Sequence, residues 1–287
     1  MKKLIAIFVS VTFILLCGGG CSEDTNSDET NKKLAVKPKF KNPPDRPSVS
    51  IYDAIKWGND KQVHSHLFYK TANLEGEKGN LPLLFAAIGE GHPHIVEQLI
   101  SYGADPNRVS KEEHEDWIVR KLYNYYSKKQ LSALNFAIQR NNADVVRILI
   151  KNGAKVEKDA LLNVFDVDLI RVLIEAGADV NATNSKGQTP LFRAVRLMAN
   201  NPEGRSHIVK ITKALIEAGA DVNHRDNGQY TPLHKVNLST TAQVLIEAGA
   251  DVNARNSLGE TPLDGYKNRR GGLDPETAQL VRRYGGK

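Results

Sequence analysis

His114-Glu115-Asp116-Trp117-Ile118 begins as a zinc-protease helix does, with a histidine ligand followed by a glutamate that serves as general base. The second ligand must fall four residues after the first, and Ile118 stands there, so the motif fails. Gly89-Glu90-Gly91 begins like a dinucleotide-binding loop, but it follows a helical pattern and lacks the third glycine. His64 and His66 are two residues apart, which puts them on different sides of a helix and makes them poor joint ligands. His92 and His94 merely flank Pro93. There is no P-loop and no Gly-x-Ser-x-Gly elbow, and nothing gathers the scattered serines, histidines and aspartates. The residues point to no catalytic site, no metal and no cofactor. A non-enzymatic protein is expected.

Two cysteines remain, and both lie near the N-terminus. Met1-Lys2-Lys3 supplies positive charge, Leu4 to Leu16 is apolar, and Cys17-Gly18-Gly19-Gly20-Cys21 follows, which is a secretory-signal layout. The apolar run is shorter than the ~20 residues of a spanning helix. Gly20-Cys21 resembles a bacterial lipobox, in which Cys21 would be acylated and become the mature N-terminus. The resemblance departs at Gly18, where that family prefers leucine. Ser22 is its outer-membrane sorting choice. The expectation is residues 1–20 as signal peptide and Cys21 as lipid anchor, facing the periplasm from the outer membrane. The alternative is a secretory signal cut without lipidation, giving a soluble periplasmic protein. In the lipoprotein reading Cys17 leaves with the signal and Cys21 is consumed as the anchor, so no free thiol remains, as suits an oxidising compartment.

Residues 21–48 read as a flexible tether: Ser-Glu-Asp-Thr-Asn-Ser-Asp-Glu-Thr-Asn, then lysines and prolines, with almost nothing to bury. As a coil it spans on the order of 30 Å. The net charge of +6 is spread along the chain without a dense basic run, so nucleic-acid binding is not expected.

Residues 49–287 are built on a repeated phrase. Gly177-Ala178-Asp179-Val180-Asn181, Gly219-Ala220-Asp221-Val222-Asn223 and Gly249-Ala250-Asp251-Val252-Asn253 each follow Leu-Ile-Glu-Ala and each precede Thr-Pro-Leu, at Thr189, Thr231 and Thr261. Threonine before proline is an N-cap followed by the first helical residue, and the glycine permits the left-handed turn that ends a helix. Thr231-Pro232-Leu233-His234 and its partners resemble the ankyrin repeat. The resemblance implies an all-α solenoid of stacked helix-turn-helix units joined by hairpin fingers, with His92 and His234 in structural roles.

The glycine ladder suggests seven units: about 50–80, 81–112, 130–157, 158–181, 182–223, 224–253 and 254–287. Against a family period of 33, the fourth unit is about nine residues short and the sixth about three, so their first helices are expected to be clipped. Leu81-Pro82 replaces Thr-Pro in the second unit. About seventeen extra residues fall at Arg108 to Gln130, and read as an inserted helix over 110–129, with a Ser110/Glu113 capping box. Packing onto the solenoid is expected for Ile118, Leu122 and Tyr125, leaving Trp117, Tyr123 and Tyr126, with Arg120, to meet a partner. A second insertion, around Met198 to Ser206, reads as a surface loop.

The expected function is binding another protein on the concave face formed by fingers and first helices. The candidate contacts are Asn107, Trp117, Arg120, Tyr123, Tyr126, Asn184, Lys186, Gln188, Arg225, Asn227, Gln229, Tyr230, Asn256 and Leu258. Two roles fit: an immunity protein against a secreted effector, or a scaffold for a periplasmic enzyme. A cryptic enzymatic site within 108–130 is the alternative from another class.

Overall fold

The computed structural model describes residues 43–75, 82–109, 131–198, 200–267 and 275–287. Helices pack in consecutive pairs: α1 (Ile51–Lys56) with α2 (Asp60–Phe68), α3 (Leu83–Glu90) with α4 (Pro93–Ser101), and α5 (Ala133–Gln139) with α6 (Ala143–Lys151). After α7 (Val167–Glu175) the pairing resumes. There α8 (Pro190–Ala194) packs with α9 (Pro202–Glu217), α10 (Pro232–Lys235) with α11 (Ser239–Glu247), and α12 (Pro262–Lys267) with α13 (Pro275–Arg283). The second helices form an unbroken row, from α2 through α4, α6, α7, α9 and α11 to α13. The first helices do not: residues 158–163 form turns, and no first helix stands between α5 and α8. Among the described residues there is no β-strand, only an isolated bridge between Val109 and Ser132.

The stack is held by one continuous core. Leu191, Leu233 and Leu263 of the Thr-Pro-Leu motifs are buried, as are Leu99, Leu149, Leu173, Leu215 and Leu245 of the second helices. Each such side chain contributes roughly 1.5–3 kcal/mol by leaving water. Phe85 and Phe136 stack with ring centroids 5.8 Å apart, joining α3 to α5. Caps set the helix starts. Thr189 accepts a bond from the Phe192 backbone, Ser132 from Asn135, Asn142 from Val145 and Asp166 from Leu169.

Three sequence expectations change here. Leu81-Pro82 does not copy Thr-Pro, because Pro82 itself occupies the cap position and offers no side-chain acceptor, shifting the register by one residue. The second insertion is only partly a loop. Asn201 accepts from the Gly204 backbone, Pro202 needs no N–H in the first turn, and Glu203 faces the positive helix end, so α9 starts inside it and runs 16 residues. Finally, the chain engages the repeat body before residue 49. The Tyr69 hydroxyl donates to the Pro44 carbonyl, and the Ser48 amide donates to Gln62 Oε1.

Candidate functional site

The Gly-Ala-Asp-x-Asn phrase is a staple between neighbouring units. Its glycine is left-handed, as at Gly177, Gly219 and Gly249 (φ 90°, 91° and 92°). The aspartate accepts from the asparagine's backbone N–H, 2.9 Å for Asp179 and Asn181. The Asn181 amide then reaches the next unit: it donates to the Gly219 carbonyl (3.1 Å) and accepts from the Asp221 N–H (2.8 Å). Asn223 does the same with Gly249 and Asp251, and Asn253 with Gly285 and Lys287. Asn107 belongs to this set, bridging Gly153 and Lys155. It is a structural residue and no longer a candidate contact.

The fingers of the fifth to seventh units close on one polar side chain each. Asn184 Oδ1 accepts from the Lys186 and Gln188 backbone, Asp226 Oδ1 from Gly228 and Tyr230, and Asn256 Oδ1 from Leu258 and Glu260, at 2.9 and 3.0 Å in every finger. These side-chain bonds add to one backbone bond across each finger, Asn184 to Gln188, Asp226 to Tyr230 and Asn256 to Glu260. Asn184 is half-buried and Asn256 buried, so both are withdrawn from the contact set. Gln188 is withdrawn as well, being buried with its amide oxygen accepting from Asn184. The fingers also bind one another. The Asn227 N–H donates to the Lys186 carbonyl, the Ser257 N–H to Gly228, and the Arg225 guanidinium to the Arg255 carbonyl (2.7 Å).

What remains outward on this rigid row is Lys186, Arg225, Asn227, Gln229 and Leu258. The Asn227 amide is tied to the Ser185 carbonyl, whereas Leu258 is 72% exposed. Tyr230 is half-buried, with the Lys235 ammonium 3.2 Å from its ring centroid. Trp117, Arg120, Tyr123 and Tyr126 lie outside the described residues, as does the whole 110–130 segment.

The histidines do separate jobs. His234 Nδ1 accepts from the Thr231 N–H (3.1 Å), closing a capping box, and its Nε2 meets the Glu260 carbonyl of the next finger. Asp264 takes the same place opposite Thr261. His66 bridges Thr71 and the Val49 carbonyl, while His64 Nδ1 lies 3.0 Å from the Tyr102 hydroxyl. Burial lowers the pKa of His64 and His234 below the usual histidine value and raises that of Tyr102. The described residues hold no group of three or more metal-ligating side chains.

A second concavity lies where the fourth unit lacks its first helix. It encloses about 700 Å³. Ile138, Leu162, Val164 and Phe165 give it apolar walls, and Glu157, Asp159, Asp166 and His207 line it with charge or potential charge. Sequence reasoning missed it, although the nine-residue shortfall marked its place.

A family model for ankyrin repeats, three copies to a model, matches residues 51–160 and again 158–256. The chain belongs to the ankyrin-repeat family. Relatives include mouse ankyrin repeat and SOCS box protein 14, 30% identical over 111 residues, which are 37% of this chain and 17% of that protein. A putative ankyrin repeat protein of fowlpox virus is 30% identical over 120 residues, 40% of this chain and 15% of its own. The chain thus spans less than a fifth of either relative. The ankyrin domain of Bcl-3 shares the fold, with TM-score 0.58 and 19% identity, covering 83% of this chain and 100% of that one. The human ASB11 ankyrin domain matches with TM-score 0.60 and 19% identity over 83% of this chain and 99% of its own. Ankyrin repeats are in general protein–protein interaction modules, typically without enzymatic activity. Among the described residues of this ankyrin chain, no helix is long and apolar enough to cross a membrane.

Proposed function

We propose that this protein is a binding module held at the extracytoplasmic face of a bacterial membrane by lipid on Cys21, and that it takes a partner protein on the fingers of its C-terminal half. The observation that carries the reading is the rigid finger row. Three loops with the same internal bonding, stapled side by side, present Lys186, Arg225, Gln229 and Leu258 outward on a backbone that is ordered before binding. Arginine and an exposed apolar residue are common anchors of such surfaces. The signal-like N-terminus and Gly20-Cys21 support the anchor, and a secreted effector neutralised on arrival is the partner role that location favours.

The full chain, solubilised from membranes, serves as bait in envelope and secreted fractions, beside Arg225→Glu/Leu258→Asp and Trp117→Ala/Tyr126→Ala baits. A partner kept by the wild type and the second bait but lost by the first supports the finger face. Loss only with the Trp117/Tyr126 bait moves the site to the insertion. Labelled palmitate incorporated by wild type and absent from Cys21→Ser tests the anchor; label retained by Cys21→Ser refutes it.

A further inference from the structure

Two departures from the repeat coincide. The third unit ends Gly153-Ala154-Lys155-Val156-Glu157, so lysine and glutamate stand where the other phrases carry aspartate and asparagine. At this rung the Asp179 N–H goes instead to the Lys158 carbonyl (3.3 Å). Glu157 is exposed and lines the cleft left by the missing first helix. Asp159 is also exposed and lines it, whereas Lys158, between them in sequence, does not. Asp166 adds a third carboxylate, with one oxygen capping α7 at the Leu169 N–H. Two basic groups close by are engaged: His207 Nε2 meets the Phe165 carbonyl (2.8 Å), and Arg193 donates through one terminal nitrogen to Asn163 (2.7 Å). Gln139 lines the cleft too, and its Oε1 has no hydrogen-bond partner. The result is a cleft of about 700 Å³ lined by apolar and polar side chains alike, with three acidic residues among them.

We infer that this cleft receives a basic segment of the partner protein, with an arginine or lysine side chain inserted where the first helix is missing. The assignment rests on the protein-binding reading above and adds a second, chemically distinct contact to it. The aliphatic stem of such a residue lies on Leu162, Val164 and Phe165, and its cation meets Glu157, Asp159 and Asp166. Burying that cation without the carboxylates is unfavourable, so the charge selects the residue while the walls supply contact area.

The probe is a labelled alanine-based helical peptide with arginine at every fourth position, with twins carrying norleucine or glutamate instead. Binding to the full chain is followed by fluorescence anisotropy at two salt concentrations. The arginine peptide is expected to bind about tenfold or more tightly than either twin, and to weaken with salt. Glu157→Gln/Asp159→Asn, both exposed and free of packing roles, should weaken it about tenfold without moving the melting temperature. Ala160→Trp should block all peptides by filling the cleft. Equal binding of the three peptides, binding untouched by Glu157→Gln/Asp159→Asn, or no binding at all overturns the inference. Arg225→Glu/Leu258→Asp, tested alongside, should leave the peptide bound. That variant's loss of the captured partner bears on the finger reading alone, so the two can fail separately.

Discussion

Asn181 shows how one side chain holds two units together. Its amide donates across the boundary to Gly219 and accepts from Asp221, and both bonds satisfy backbone groups of the turn that follows α9. Replacing it with alanine leaves those groups unpaired, so Asn181→Ala should lower stability by about 1–3 kcal/mol, read as a lower denaturant midpoint. Gly187 is a tighter constraint. Its φ is +71°, and a Cβ there would lie 2.5 Å from Asn227 Oδ1 and 3.0 Å from its backbone nitrogen. Gly187→Ala should therefore cost on the order of 1–3 kcal/mol and loosen two fingers at once. Protection of the Asn227 N–H from hydrogen exchange should fall with it. The asparagines were legible in the sequence as a repeated feature but not as staples, because a repeated exposed polar residue looks the same whether it binds a partner or a neighbouring unit. Asn107, Asn184, Gln188 and Asn256 were read outward for that reason.

At the scale of elements, capping chemistry carried most of the fold. Thr-Pro starts, glycine ends and apolar second helices were readable because each follows from local backbone needs. The four-residue α10 survives because His234 ties its cap to the next finger. The bond inside the cap requires a neutral ring, since Nδ1 accepts from the Thr231 N–H. Burial holds the folded pKa below the unfolded value near 6.5, so the unfolded chain binds the extra proton. Stability contributed this way is complete above about pH 6.5 and is lost as pH falls through the lower, folded value. His64 has the same sign. The melting temperature should fall between pH 7.5 and pH 5, and His234→Asn should flatten that slope while lowering the plateau. An unchanged slope in the variant would assign the dependence to His64 or to carboxylates. The start of α9 at Pro202 was misread as a loop because an Asn-Pro pair marks turns and helix starts alike.

In the whole stack, each unit touches only its neighbours, so stability is close to a sum of unit and interface terms. One interface is unlike the rest. Between α5 and α8 the first-helix row is empty, the Asn staple is replaced by Glu157, and α7 alone carries the second-helix row across. The short fourth unit pointed to a clipped first helix, whereas the structure has turns there and no helix, and the cleft this opens depends on the units on either side and is not readable locally. A weakened interface in a one-dimensional stack should let the two sides unfold separately. Leu99→Ala in α4 and Leu245→Ala in α11 remove equally buried side chains on opposite sides of it, each at a cost of about 2–5 kcal/mol. Denaturant unfolding should then show two transitions. Leu99→Ala should move one of them and Leu245→Ala the other, resolved by hydrogen exchange at α4 and α11. A single transition shifted alike by both would mean that α7 transmits the full cooperativity of the array despite the gap, and that the cleft is as rigid as the fingers beside it.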